Sequence, residues 1–186
     1  MDKVNFTNNE IPILLDYTRL HQLPEEGIAK ALKAITTSTT GHILFKNQFP
    51  VFSAPVLDGF GNFTLTATYA TIGVAVNGYP AVLLAGNSTS ASTPLPGVTQ
   101  VMDVRVVRSL TDDIASRDYL SATGVMTTDP AAIVQKLESY SVLVCTTGTI
   151  TTDDYFVWSQ ITVNAAGALV AGSQVDSSGY VVWWAP

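Results

Sequence analysis

The sequence feature that most restricts the fold is a two-residue alternation of apolar residues with threonine across residues 63–69. Because successive side chains of a β-strand point to opposite faces, this period predicts a strand with one buried and one solvent-facing side. A second alternating run covers residues 98–107. Its apolar positions are Met102, Val104 and Val106, and its charged positions are Asp103 and Arg105. The chain is therefore predicted to be rich in strands.

Charged side chains (Asp, Glu, Lys and Arg) are sparse and unevenly placed. They make up 13% of the residues, about half of the roughly 25% that is usual in globular domains. Residues 47–102 and 137–186 are almost free of charge, and these two blocks hold nearly all of the predicted strands. The formal net charge is −6, whereas binding to a phosphate backbone depends on clustered Lys and Arg. We therefore expect no nucleic-acid partner.

Residues of high β-propensity between turn signals define the remaining predicted strands. All predicted strands together cover residues 42–46, 49–57, 63–69, 79–85, 98–107, 142–146, 155–163, 168–175 and 180–184, and residues 86–97 are predicted to form a loop. At residues 164–167 and 176–179, Asn or Asp is followed three residues later by Gly. This spacing fits a type I turn closed by a left-handed glycine. It predicts that a three-stranded antiparallel meander ends the chain.

Short helices are predicted at three places. The first begins at Pro24, because proline suits the first helical position and Glu25 and Glu26 complement the helix dipole. The second covers residues 109–120. The third starts at Asp129-Pro130, a capping residue followed by proline. Apolar residues at helical spacing form the expected buried face of this third helix: Ile133, Val134 and Leu137.

The first 23 residues contain a short apolar stretch that proline interrupts, and they are predicted to form an extended arm. Its apolar residues are candidates for docking onto the body or onto a neighbour: Ile11, Ile13, Leu14 and Leu15. Residues 1–41 thus form an N-terminal arm and helix, and residues 42–186 form a β-rich body. The predicted fold is mainly β (α+β): an antiparallel β-sandwich or barrel-like body that ends in the meander, with two or three short helices.

The signatures of common catalytic and ligand sites are missing. No phosphate-binding loop, dinucleotide-binding glycine motif, nucleophile elbow or metalloprotease motif occurs in the sequence. The lone cysteine, Cys145, lies in an apolar run and is expected to be a small core residue. Asp112-Asp113 and Asp153-Asp154 are carboxylate pairs, but adjacent residues of a strand point to opposite faces. We expect no enzyme, no cofactor and no metal.

Aromatic residues concentrate in the predicted meander, where β-propensity and core packing explain most of them. Four are candidates for an exposed contact platform, either for a glycan or for an oligomer interface: Trp158, Tyr180, Trp183 and Trp184. Because Trp183 and Trp184 are neighbours in a predicted strand, one is expected to face the core and the other solvent or a partner.

Three classes of function remain. The final third is similar in composition to repeats of phage fibre proteins, and the N-terminus lacks a signal-peptide profile. We therefore expect a structural protein of a bacteriophage virion (a head fibre, decoration or tail component), made in the host cytoplasm and forming a homotrimer with other virion proteins as partners. No apolar run reaches the roughly 18 residues of a membrane span. The alternatives are a carbohydrate-binding or adhesin-like module for a cell-surface glycan, and an enzyme with an unrecognised carboxylate site.

Overall fold

A computed structural model of the chain describes residues 14–36, 40–45, 49–57, 63–90, 97–120 and 123–177. These residues form a mainly β fold of antiparallel sheets with one helix and no closed barrel. The helix is α1 (Leu14–Thr36). The strands are β1 (Gly41–Phe45), β2 (Val51–Phe52), β3 (Val56–Leu57), β4 (Phe63–Thr64), β5 (Thr66–Tyr69), β6 (Ile72–Val76), β7 (Tyr79–Leu83), β8 (Gly86–Thr89), β9 (Gln100–Leu120), β10 (Met126–Thr146), β11 (Asp154–Val163) and β12 (Val175–Asp176).

Four sheets make up the described β structure. Their strand orders are β1-β6-β7, β10-β9-β11-β12, β2-β5-β8 and β3-β4, and all neighbouring strands are antiparallel. The turn between β6 and β7 is Asn77-Gly78, and both residues have positive φ, at 51° and 85°. This is the requirement of the two-residue type I′ hairpin turn. A Cβ on Gly78 would lie 2.4 Å from the carbonyl oxygen of Ala29, so helix α1 packs closely on this turn.

One hydrophobic core joins the sheets. Its fully buried members are Ile43, Leu65, Ala67, Ile72, Val74, Val76, Met102, Val104, Val106, Val144, Trp158 and Val163. The alternation predicted for residues 63–69 is confirmed at Leu65 and Ala67, and that for residues 98–107 at its three apolar positions. Strand β6 was missed because all five of its residues are buried, so it has no two-residue period to detect.

Helix α1 begins ten residues before the predicted start at Pro24, which lies inside the helix. Leu14 and Leu15 therefore belong to its first turn and not to an extended arm, while Ile11 and Ile13 lie outside the described residues. Proline lacks the N–H that would bond to the carbonyl four residues earlier, which made a helix start the better prediction. Contact of α1 with β7 overrides that local signal, since most helical stability in proteins comes from tertiary packing.

The two other predicted helices are wrong, because residues 109–120 and 129–137 pair with each other as strands. Asp129-Pro130 resembles a helix cap but lies at a bulge, where the register shifts between Asp129 and Ala132. There the Ala131 amide donates to the Asp129 carboxylate at 3.0 Å, and Pro130 needs no partner for a missing N–H. Leu137 is exposed instead of facing a core, and the side chains of Ile133 and Val134 lie outside the described residues.

The end of the chain follows the predicted meander only in part. The first predicted turn is confirmed: the Gly167 amide donates to the Asn164 carbonyl at 2.9 Å, and Gly167 has a φ of 79°. Residues 168–175 are not a continuous strand, because a bridge at Leu169 is followed by a turn before β12. Residues 178–186 lie outside the described part. The predicted loop at residues 86–97 is also corrected, since it begins with strand β8.

Candidate interaction site

The most prominent feature is a hairpin of two long strands. β9 and β10 have 21 residues each. They are paired along their length, from Met102 opposite Thr146 at one end to Leu120 opposite Met126 at the other. At about 3.4 Å per residue, such strands are about 70 Å long. β11 pairs with β9 only as far as Arg108. Beyond that point none of the other described strands pairs with the hairpin, and we call this segment, residues 109–120 and 126–137, the outer ribbon.

The inner part of β9, residues 102–108, is buried on both faces. Met102, Val104 and Val106 point into the hydrophobic core. On the opposite face, Asp103 and Arg105 are each 2% exposed, so the charged positions expected to face solvent are covered as well. Burial of an ionised group is tolerated only where it is paired and hydrogen-bonded, so the partners of these two residues decide whether they form a reactive site.

Asp103 and Arg105 form an ion pair with each other, and both make further hydrogen bonds to neighbouring residues. Arg105 donates to Asp103 Oδ2 from Nη2 at 2.8 Å and from Nε at 3.2 Å. Thr147 and Gln160 donate to Asp103 Oδ1 at 2.6 and 2.8 Å. Burial alone would lower the pKa of Arg105, but the hydrogen bond and charge of Asp103 outweigh burial and hold this pKa above its usual value. The Asp103–Arg105 cluster is therefore a structural ion pair and not a reactive site.

Other contacts on this face complete the cluster. The Arg105 guanidinium also donates to the Thr149 carbonyl at 2.6 Å and lies 4.5 Å from the Tyr155 ring centroid. Cys145, paired with Asp103 across the strands, is buried with a free thiol. Burial raises the pKa of the Cys145 thiol, which keeps it protonated and a poor nucleophile.

A second charged cluster fastens the hairpin to the body at the point where β11 stops. Arg108 forms an ion pair with Glu138 of β10 and another with Asp154 of β11, the latter at 3.1 Å. Its guanidinium lies 3.7 Å from the centroid of the Tyr79 ring of β7. Tyr140 donates to Glu138 at 2.7 Å. We call these five residues the root cluster, because they join three strands and the β7 edge at the base of the outer ribbon.

The root cluster is also linked to the turn on which α1 packs. Asn77 donates from its side-chain amide to Asp154 Oδ2 at 3.1 Å. Burial, followed by the hydrogen bond to Glu138, raises the pKa of Tyr140 well above its usual range. Tyr140 therefore stays a neutral hydrogen-bond donor through the physiological pH range.

The acidic pairs of the sequence are divided among different partners. Asp112 lies 3.7 Å from Lys136 in an exposed ion pair. Asp153 accepts a hydrogen bond from Ser109 at 2.7 Å, whereas its neighbour Asp154 belongs to the root cluster. In none of these contacts do the two adjacent Asp residues face each other as the paired carboxylates of a sugar-hydrolysing site.

The outer ribbon exposes apolar side chains on a defined face. Its two register irregularities place their extra residues in β10, so alternate positions of β9 keep the same face throughout. Leu110, Ile114 and Met126 continue the face that the core-forming residues occupy further in, and they are 48%, 57% and 65% exposed. We call these three residues the apolar strip. Leu137, paired with Thr111, lies on the opposite face and is 48% exposed.

The predicted aromatic platform is not formed around Trp158. This residue is fully buried in the core, where its ring meets Tyr69 edge to face with centroids 5.8 Å apart. Its bulk serves the packing of β11 on the other sheets, so it presents no surface to a glycan or a partner. The other platform candidates, Tyr180, Trp183 and Trp184, lie outside the described residues, and their role stays a prediction.

The outer ribbon was missed at the level of sequence because residues 109–120 and 129–137 are predicted as helices. One signal for it was present: the alternation of residues 98–107 continues at Leu110 and Ile114, and no Gly or Pro lies between them. That extension points to one long strand.

Searches for other kinds of site and for relatives gave negative results. Within the described residues, no group of three or more His, Cys, Asp or Glu side chains is placed to hold a metal ion. No described helix has the length and apolar character needed to cross a membrane. Comparison with protein-family models, curated proteins and solved structures found no match to the chain, so its function is argued from its own geometry.

Proposed function

We propose that the chain is a structural protein of a bacteriophage particle (a head fibre, decoration or tail component) and that it acts by assembly and surface contact, not by catalysis. The observation that carries the proposal is the outer ribbon, a two-stranded extension that leaves the body and exposes apolar side chains. A segment of this kind is suited to reach a neighbouring molecule.

The physical reason lies in the stability of isolated hairpins. A two-stranded hairpin is marginally stable in water, and it needs a third strand or a packed face to persist. Within the described residues the outer ribbon has neither. Docking on a neighbour supplies the missing contact area, so an assembled state is more stable than the separate chain.

Composition and charge support the same function. The described charged residues of the buried half are tied into internal clusters, which leaves the strand surfaces neutral and rich in hydroxyl groups. In this proposal the sheets form a sandwich-like body, the particle contains three copies of the chain, and the N-terminal residues Ile11 and Ile13 add a second docking segment.

Composition of purified particles tests this function. We expect mass spectrometry of particles from the phage that encodes the chain to detect it in a fixed ratio to the major capsid or tail protein, retained after washing in high salt. Detection of the chain only in the soluble lysate, and never in particles, would contradict the proposal.

A shortened ribbon tests the observation behind the proposal. Thr111 and Leu137 are paired, so residues 112–136 can be replaced by an Asn-Gly turn that closes the hairpin at that point. We expect this variant to fold but to be lost from particles. The matched control is Leu84→Ser, which changes an exposed apolar residue of the body and is expected to be incorporated normally.

A further inference from the structure

The apolar strip leaves three large apolar side chains exposed on one face of the outer ribbon, and area, charge and timing indicate what covers them. We propose that the apolar strip packs against a second copy of this chain. The inference rests on the proposed function, since it names the neighbour that the outer ribbon contacts.

The area available is sufficient for such an interface. About twelve residues at about 3.4 Å per residue make the outer ribbon about 40 Å long, and two strands are about 10 Å wide. Two copies that join this face cover about 800 Å² of flat surface between them. The relief of the side chains raises the accessible area toward the roughly 1,200 Å² at which specific interfaces begin.

The charges of the outer ribbon do not favour a strongly charged partner, because the ribbon has only a small net charge. Residues 109–137 contain four acidic residues and two basic ones, Asp112, Asp113, Asp118 and Asp129 against Arg117 and Lys136. On the same face as the apolar strip, Asp112 is already paired with Lys136. A nucleic acid finds no basic surface here. A face of low net charge with apolar positions along it is instead compatible with the same face of other copies of the chain.

Timing favours a copy of the chain over a different particle protein. Exposed apolar strand segments promote aggregation when they remain uncovered, so the outer ribbon needs cover from the moment the chain folds. The one partner always present then, at matching concentration, is another copy of the same chain. Most soluble oligomers are assemblies of identical chains for related reasons. The apolar strip also continues the core-forming face of β9, so the second copy extends an existing packed surface.

Substitutions on the two faces of the outer ribbon test the proposal. Ile114→Asp places a charge in the apolar strip, and Leu137→Asp places the same charge at a similarly exposed position on the opposite face. Analytical ultracentrifugation and light scattering of the full chain at micromolar concentration measure association, and circular dichroism with a denaturant titration verifies that the body is folded.

We expect the unmodified chain and Leu137→Asp to form the same oligomer, and Ile114→Asp to associate at least tenfold more weakly. All three proteins should have the same unfolding midpoint when they are measured as monomers. Two outcomes overturn the inference: a monomeric unmodified chain at micromolar concentration, or equal weakening by both substitutions. If the chain is monomeric and yet the shortened-ribbon variant is lost from particles, the second copy is excluded while the proposed function stands.

Discussion

The two halves of the β9–β10 hairpin have the same backbone pairing and opposite surroundings. In the inner half, β9 residues 102–108 are buried on both faces, even where they are charged. In the outer ribbon, the large apolar side chains of the same strands are exposed, at 48% to 65% for Leu110, Leu137, Ile114 and Met126. The difference arises because β11 and the other sheets cover only the inner half. Pairing of two strands thus makes the hairpin, but packing of further elements decides which of its side chains are buried.

The largest expected effect comes from Arg105→Met in the inner half. This change removes the partner of Asp103 and leaves a carboxylate that is 2% exposed without its cation, which costs about 3–5 kcal/mol for buried pairs. Chemical denaturation with urea measures the free energy of unfolding. The double change Arg105→Met with Asp103→Leu is the control and should recover most of the loss. A loss below about 1 kcal/mol would show that water reaches this face and that the two halves differ less than the structure indicates.

Truncation of one apolar side chain in each half gives the most direct comparison. Met102→Ala empties space in the core and is expected to lower the free energy of unfolding by about 2–5 kcal/mol. Leu137→Ala, on the uncovered face of the outer ribbon, is expected to change it by less than about 0.5 kcal/mol. Urea titrations of both variants provide the measurement. A cost above 1 kcal/mol for Leu137→Ala would mean that this face of the ribbon is also covered.

A smaller, pH-dependent effect is expected at the boundary between the halves. The pKa of Tyr140 is raised in the folded protein from its ordinary value of 10.0 by burial and by its hydrogen bond to Glu138. Below pH 10 both states keep the proton, and above it the unfolded chain loses the proton first, so the free energy of unfolding falls as the pH rises. Tyr140→Phe removes this contribution. Below pH 9 the same variant is expected to cost about 1 kcal/mol for the lost hydrogen bonds.

Thermal unfolding at pH 8, 9, 10 and 11 measures this dependence. The unmodified chain should lose stability between pH 9 and 11 more steeply than Tyr140→Phe. Parallel curves for the two proteins would show that Tyr140 ionises equally well in the folded and unfolded states and that the root cluster does not enclose it.

The smallest effect is expected for Lys136→Met in the outer ribbon. Its ion pair with Asp112 has both side chains about half exposed, and exposed pairs contribute at most about 1 kcal/mol. The expected change in the free energy of unfolding is below about 0.5 kcal/mol and is reduced further by 0.5 M salt. If Lys136→Met lowered the free energy of unfolding as much as Arg105→Met, the exposed and the buried ion pair of the hairpin would contribute equally to stability.

Sequence alone was sufficient where one face of an element is buried or where a turn depends on particular residues. The strands at residues 42–46, 79–85 and 155–163 were predicted close to their observed bounds, whereas of β10 only the end, residues 142–146, was predicted as a strand. The turn at Asn164 was predicted in detail because its geometry needs a residue that bonds its own backbone and a glycine of positive φ, both of which are local requirements.

Sequence patterns did not identify the outer ribbon or the start of the helix. The described residues bury neither face of residues 109–137, so the two-residue period there is weak, and the helix signal at Asp129-Pro130 was the stronger one. Likewise, tryptophan is a residue type suited to an exposed contact platform, and only the burial of Trp158 in the core excludes that role.

The amino-acid sequence by itself determined a sparsely charged chain rich in strands, the faces of its alternating segments and one of its closing turns, because these depend on residues that are near one another along the chain. Only the tertiary structure decided that β9 and β10 continue as paired strands beyond the body, that Asp103 and Arg105 are buried, and that the apolar strip is uncovered. These features depend on contacts between different strands, such as the pairing of β9 with β10 and the hydrogen bond from Gln160 to Asp103, whose energies no local pattern contains.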